Sequence, residues 1–249
     1  MAILLGKPPV SRSNAQKSVR SAQSARLSLT KRTHLCYNAG KETEGFKEMS
    51  EKVFTVTCFG DSITEGIGAC PMDGMSYPAQ LQRLLGDGYA VLNMGASGLT
   101  LQREGDYPYY KDPRYEAAFA SDPDAVLLMI GTNDSKNNNW DPDRYEAALR
   151  AAVERFLALP SRPLVLLSSC CAAFSDIDTI SNEVIGGEML RIQRKTAVAC
   201  GARFIDLTTV TSRHPEWFCD GIHPSNEGYG KLAEIFRNEL LDARAGADV

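Results

Sequence analysis

From Val53 onward, short apolar runs alternate with longer amphipathic ones. Residues 53–59, 89–94, 125–130, 164–169 and 203–207 have strand length, and most are apolar throughout, as in Ala125-Val126-Leu127-Leu128-Met129-Ile130. Continuous apolarity over a short run is the pattern of parallel strands covered on both faces. Between them, residues 76–85, 141–159, 182–199 and 225–241 carry helical periodicity. The clearest is 141–159, where Tyr145, Ala148, Leu149, Ala152, Phe156 and Leu159 form one stripe. Asp141 suits its N-cap, Pro142 its first turn, and Pro160 comes just after its end. In the last helix, Tyr229, Leu232, Ile235, Phe236 and Leu240 share one side. Strands alternating with helices predict β-α-β units and an α/β fold with a parallel sheet. Right-handed crossovers then bring the C-terminal ends of the strands to one edge, where ligands of open α/β sheets bind. Neither an internal repeat nor a second folded domain is visible.

The first 50 residues break this pattern. They are rich in Ser, Arg, Lys, Ala and Gln and lack hydrophobic periodicity. Three readings stand: a disordered extension, an Arg- and Ser-rich transit peptide, and a start placed too early, since Met49-Ser50-Glu51-Lys52 leads directly into the first strand. The folded domain is expected over 51–242, with a short tail at 243–249. Charge obeys the same division. The first 40 residues hold 7 Lys/Arg and no Asp or Glu, leaving 20 basic against 31 acidic side chains in the remainder. A domain that acidic offers no broad electrostatic surface for nucleic acid. The 7 cysteines form no Cys-x-x-Cys pair, and several sit in apolar runs, so a zinc ribbon or redox motif is unsupported and a reducing, cytoplasmic compartment is expected. No apolar run reaches membrane-spanning length, and no membrane partner is expected.

The chemistry lies in the loops at the strand ends. Gly60-Asp61-Ser62 comes after the first strand, Gly95-Ala96-Ser97-Gly98 after the second, and Gly131-Thr132-Asn133-Asp134 after the third; Asp220-Gly221-Ile222-His223-Pro224 precedes the last helix. Topology gathers the first three at one sheet edge, and the fourth joins if the chain after the fifth strand returns there. Ester hydrolysis needs a nucleophile, a base and donors for the tetrahedral oxyanion. A serine hydroxyl is weak until an imidazole takes its proton, and the imidazole needs a carboxylate to orient it. Ser62, His223 and Asp220 supply that set. Gly95 can offer a backbone N–H and Asn133 a side-chain N–H as donors.

Each part has a plainer reading. Gly60-Asp61-Ser62 alone is a turn with a helix cap. Gly95 serves a loop conformation, Asn133 and Asp134 serve Asx turns, and His223 alone is a surface histidine. Histidine is scarce, however: only His34, His214 and His223 occur, and His223 alone has a carboxylate upstream at matching spacing. Ser97 is a rival nucleophile, but Leu99 occupies the last position of a Gly-x-Ser-x-Gly elbow. Asp61, Asp134, Asp220 and His223 also form a possible carboxylate-rich metal set, without a second histidine to help.

Taken together, the blocks resemble the SGNH, or GDSL-type, hydrolase superfamily over Val53 to Leu241. The resemblance implies a flavodoxin-like three-layer α/β/α sandwich with a five-stranded parallel sheet of order 2-1-3-4-5. It implies Ser62, Asp220 and His223 as catalytic residues, an oxyanion hole of Ser62, Gly95 and Asn133, and no cofactor or metal. Ser76 to Leu81, Gly105 to Tyr110 and Gly131 to Trp140 look most like sialate or other carbohydrate O-acetylesterases. The stretch Ser168 to Ala173 and Cys219 before Asp220 depart from that pattern. The expected substrate is a small-molecule or glycan acyl ester, with Tyr107, Tyr109, Tyr110, Trp140 and Trp217 as candidate sugar-stacking surfaces. A lysophospholipase or thioesterase on longer acyl chains, and a silent glycan-binding module on the same fold, are the alternatives.

Overall fold

The computed structural model describes residues 52–247. The readings of residues 1–50 lie outside the described residues.

Five strands form one parallel sheet: β1 (Phe54–Gly60), β2 (Tyr89–Asn93), β3 (Ala125–Met129), β4 (Leu164–Ser168) and β5 (Arg203–Ile205). Their order is β2-β1-β3-β4-β5, as expected. Registers such as Val56 with Ala125 and Leu127 with Leu166 set the strand ends level along one edge. The centre of the sheet is β3, whose five residues are all buried.

Side chains alternate across the sheet, so each strand feeds two cores. Val56, Cys58, Ala125, Leu127, Met129 and Leu166 pack with Tyr77, Leu81, Tyr229, Leu232 and Phe236 on one face. Those partners come from the helices Tyr77–Leu85 (α2) and Asn226–Ala247 (α6). On the other face Phe59, Val126, Leu128 and Ile130 pack with Phe119, Tyr145, Leu149, Phe156 and Ile192. Those come from Pro113–Ala120 (α3), Pro142–Leu157 (α4) and Leu190–Cys200 (α5). Three layers result. The aromatic centre of the second face is tight: Phe119 stacks on Phe156 at 4.2 Å and Phe59 meets Tyr109 at 4.6 Å.

The expected caps form. Asp141 accepts the Arg144 N–H at the start of α4. Four differences from the expected elements appear. Asp206 caps a one-turn helix at Leu207–Thr211, which ends β5 early. The long helix expected over 182–199 is interrupted by a π turn at Ile185–Met189, which contains Gly186 and Gly187. The last helix runs on to Ala247, through residues expected to form a tail. Helix α3 has no counterpart among the expected elements, although Asp112-Pro113 repeats the Asp141-Pro142 start signal and Asp112 accepts the Arg114 N–H.

Candidate active site

Ser62 is the first residue of a one-turn helix, α1 (Ser62–Glu65), directly after β1. The Asp61 side chain caps this helix by accepting the Ile63 N–H at 3.1 Å. The turn closes when the Gly66 and Ile67 N–H groups donate to the Ser62 carbonyl. Asp61 therefore fixes the Ser62 backbone without reaching its hydroxyl. Burial pushes the Asp61 carboxyl above the ordinary aspartate range. The chain beyond α1 is tied to α6: Tyr229 donates to the Ile67 carbonyl at 2.6 Å, and Asn226 exchanges two bonds with the Cys70 backbone.

The segment before α6 does return to the edge where β1 ends. His223 Nε2 lies 2.9 Å from Ser62 Oγ, across 161 residues of chain. His223 Nδ1 lies 2.7 Å from Asp220 Oδ2. The other carboxylate oxygen, Oδ1, accepts the Ile222 N–H at 2.9 Å and the His223 N–H at 2.6 Å. Burial opposes ionisation of Asp220, but these bonds from His223 and Ile222 outweigh it and hold the carboxyl below its ordinary range. The loop is braced by the segment after β4. Gly221 sits at φ +84°, and its carbonyl accepts the Phe174 N–H at 2.7 Å. A side chain there would meet Ser175 Cβ at 2.8 Å, so both conformation and space require glycine.

Asn133 lies just after β3 and is nearly buried. Its Nδ2 donates to the Leu99 carbonyl at 3.2 Å, which sets its amide against the loop after β2. Asp134 anchors the same loop by accepting the Leu101 and Gln102 N–H groups at 2.9 and 2.8 Å. Burial pushes the Asp134 carboxyl up to about 6.

Gly95 departs from expectation. Its N–H donates to Asn93 Oδ1 at 2.9 Å, so this donor already has a partner. Its glycine identity has a packing cause: a Cβ would lie 2.1 Å from the Glu65 nitrogen. Most other backbone donors of the loop are also engaged. Met94 donates to the Cys58 carbonyl, Ala96 to the Gly60 carbonyl, Ser97 to Glu65, and Thr100 to the Tyr107 carbonyl. Among the described residues from Met94 to Gln102, only the Gly98 and Leu99 N–H groups lack a partner.

Most of the other candidates are engaged elsewhere or lie in the core. Ser97 donates both its N–H and its hydroxyl to Glu65, so its hydroxyl is already engaged. Tyr109 is fully buried, its hydroxyl bonded to the Met94 carbonyl, so it is core. Trp217 stacks on His214 at 4.0 Å, and Trp140 packs against Tyr145 while donating to Glu188. Tyr110 lies under the Arg103 guanidinium, and Tyr107 is more than half exposed. Among the described residues no three His, Cys, Asp or Glu side chains are grouped to hold a metal ion. Two residues without a role in the sequence reading, Glu65 and Arg114, bridge α1 to the loop after β2.

Known proteins resemble this chain in both sequence and fold. Residues 58–231 match the model of the GDSL-like lipase/acylhydrolase family. An acetylxylan esterase of Xylanibacter ruminicola is 34% identical over 223 residues, covering 81% of this chain and 46% of that protein. The chain thus spans about half the length of that relative. Among solved structures, Est24, a carbohydrate acetylesterase from Sinorhizobium meliloti, aligns with a TM-score of 0.62 at 21% identity, covering 76% of this chain and 99% of the other. A mutant of Axe2, an acetyl-xylooligosaccharide esterase from Geobacillus, aligns at 0.59 and 26% identity over 76% and 94% of the two chains. With the family model covering more than half of its length, the chain belongs to the GDSL-like lipase/acylhydrolase family.

Proposed function

We propose that the protein is a serine esterase that removes short acyl groups, acetyl above all, from a carbohydrate. The observation that carries this reading is the continuous relay Asp220–His223–Ser62, with contacts of 2.7 and 2.9 Å. In that relay Asp220 fixes the imidazole with a proton on Nδ1, leaving Nε2 to accept from Ser62. The hydroxyl proton passes to Nε2 as Ser62 Oγ bonds to the ester carbonyl carbon. The tetrahedral oxyanion collapses, and His223 returns the proton to the departing sugar oxygen. Water then attacks the acyl-enzyme, giving its proton to Nε2, and the Ser62 oxygen leaves with that proton as the carboxylic acid departs. No cofactor enters these steps.

For the oxyanion, the Ser62 N–H suits the role because the first amides of a helix have no intrahelical partner. Asn133 supplies the side-chain donor. The donor from the loop after β2 is assigned to the Gly98–Leu99 pair rather than Gly95, whose N–H is bonded to Asn93. Pre-oriented donors of this kind contribute most when they face the oxygen as charge develops.

The acetyl and carbohydrate assignment is supported by the names of the relatives, an acetylxylan esterase and a carbohydrate acetylesterase. Tyr107 is the most exposed of the expected aromatics and is assigned the contact with the sugar. Among the described residues no helix is long and apolar enough to cross a membrane, and six free cysteines support a reducing compartment. The test is acetate release from acetylated xylooligosaccharides and from aryl esters of increasing chain length, with Ser62→Ala as control. Acetate release lost in Ser62→Ala supports the reading. Preference for long chains moves the assignment to a lysophospholipase or thioesterase. Sugar binding without hydrolysis moves it to a silent glycan-binding module.

A further inference from the structure

Glu65 closes the stretch that holds Ser62, yet the proposed chemistry gives it no part. Its contacts run outward. One carboxylate oxygen, Oε2, accepts both the N–H and the hydroxyl of Ser97. The other, Oε1, accepts Arg114 Nη1 at 3.1 Å. The same Arg114 nitrogen donates to the Gly95 carbonyl at 2.6 Å. The rest of the guanidinium is held by Asp112, through Nε at 2.9 Å and Nη2 at 3.0 Å. Asn93 adds a bond from its side chain to the Glu65 carbonyl at 3.3 Å.

These bonds enclose one short piece of backbone. Gly95 is pressed against Thr64 and Glu65, and Ser97 is pinned by Glu65. The next two residues, Gly98 and Leu99, carry unpartnered N–H groups. Glu65 and Arg114 are mostly shielded, with side-chain exposures of 22% and 10%. Their charge-assisted bonds are therefore stronger and more directional than surface pairs. The guanidinium fork meets Asp112, Glu65 and Gly95 together, which a lysine ammonium cannot do.

We infer that Glu65, with Arg114, is a positioning residue: it fixes the Gly98–Leu99 donors relative to Ser62 by clamping their loop onto the helix that carries the nucleophile. The inference rests on the hydrolase reading proposed for this site. It predicts an effect on turnover rather than on substrate binding, because the clamped donors act on the oxyanion and not on the ground-state ester. A displacement of about 1 Å in a reacting arrangement can cost on the order of 10²-fold.

The experiment is steady-state hydrolysis of an aryl acetate by Glu65→Gln and by Arg114→Lys. Glu65→Gln keeps an acceptor for Ser97 and leaves Arg114 paired with Asp112. Each variant is expected to lose about 10- to 100-fold in kcat, with KM within about threefold of the parent. Combining Glu65→Gln with Asn133→Ala should cost much less than the product of the single losses, because both weaken one oxyanion arrangement. Unchanged kcat in either folded variant overturns the clamp, as does a loss confined to KM or full multiplicativity with Asn133→Ala. Ser62→Ala separates the two claims. If it is inactive while Glu65→Gln turns over normally, the clamp fails and the hydrolase reading stands; if it stays active, the hydrolase reading itself fails.

Discussion

Replacing Asp220 by Asn probes the relay with little change of shape. Three donors converge on the carboxylate: the Ile222 and His223 N–H groups on Oδ1, and His223 Nδ1 on Oδ2. An asparagine can keep its oxygen on the two backbone donors, so the loop is retained. Its Nδ2 then faces His223 Nδ1 and donates to it. That contact favours the tautomer with the proton on Nε2, which turns the nitrogen 2.9 Å from Ser62 Oγ from an acceptor into a donor. General-base catalysis is lost although every atom stays in place. In a well-studied protease, the equivalent exchange lowers kcat by on the order of 10⁴. Each tenfold is about 1.4 kcal/mol, so about 5.5 kcal/mol of transition-state stabilisation is at stake. Stability should change little, because the Asp220 side chain is 38% exposed. The assay is kcat for aryl acetate hydrolysis, paired with Tm on the same samples. A folded Asp220→Asn protein within tenfold of the parent would mean that the imidazole needs no carboxylate to orient it.

Two further changes test other parts. Asn133→Ala removes one oxyanion donor and its bond to the Leu99 carbonyl; kcat should fall by on the order of 10²–10³, and near-normal turnover in a folded variant would remove Asn133 from the site. Asp134 gives a pH-dependent prediction. Its carboxyl is raised from 3.8 to about 6 in the folded protein. The folded chain therefore binds this proton more tightly than the unfolded one, and the group's contribution to stability falls as pH rises from about 4 to about 6. The shift of about two units corresponds to on the order of 3 kcal/mol. The Tm of Asp134→Asn, measured against the parent, should move in the variant's favour by several degrees between about pH 4 and pH 7. A difference that stays flat across that range contradicts the buried titration.

How much the sequence disclosed depended on how local each cause was. β3 was legible because all five residues are apolar, and α4 because Asp141, Pro142 and one stripe agree. Asp220 and His223 were legible because three residues of spacing already bring carboxylate and ring together. Ser62 needed the β-α alternation, which places its turn on the same edge as a loop 161 residues away. The loop after β2 was harder. Its glycine at 95 looks like a donor site, but that glycine exists because the Glu65 backbone passes against it. Which amide remains for an oxyanion depends on contacts that residue types alone do not specify. The Glu65 clamp joins residues 32 and 49 positions apart, with no local periodicity to reveal it. The aromatics divided similarly: Tyr109 and Tyr107 are two positions apart, yet one is core and the other surface. Helix α3 is the exception, since its Asp112-Pro113 start signal was present in the chain.

In the proposed mechanism Ser62 is the nucleophile and forms the acyl-enzyme. Treating the 249-residue chain with a fluorophosphonate and locating the adduct by peptide mass spectrometry identifies the nucleophile. The relay predicts one adduct per chain, on Ser62, formed in step with loss of esterase activity and absent from His223→Ala. Inactivation with the adduct on Ser97, or hydrolysis that persists when Ser62 is fully modified, would show that Ser62 is not the nucleophile.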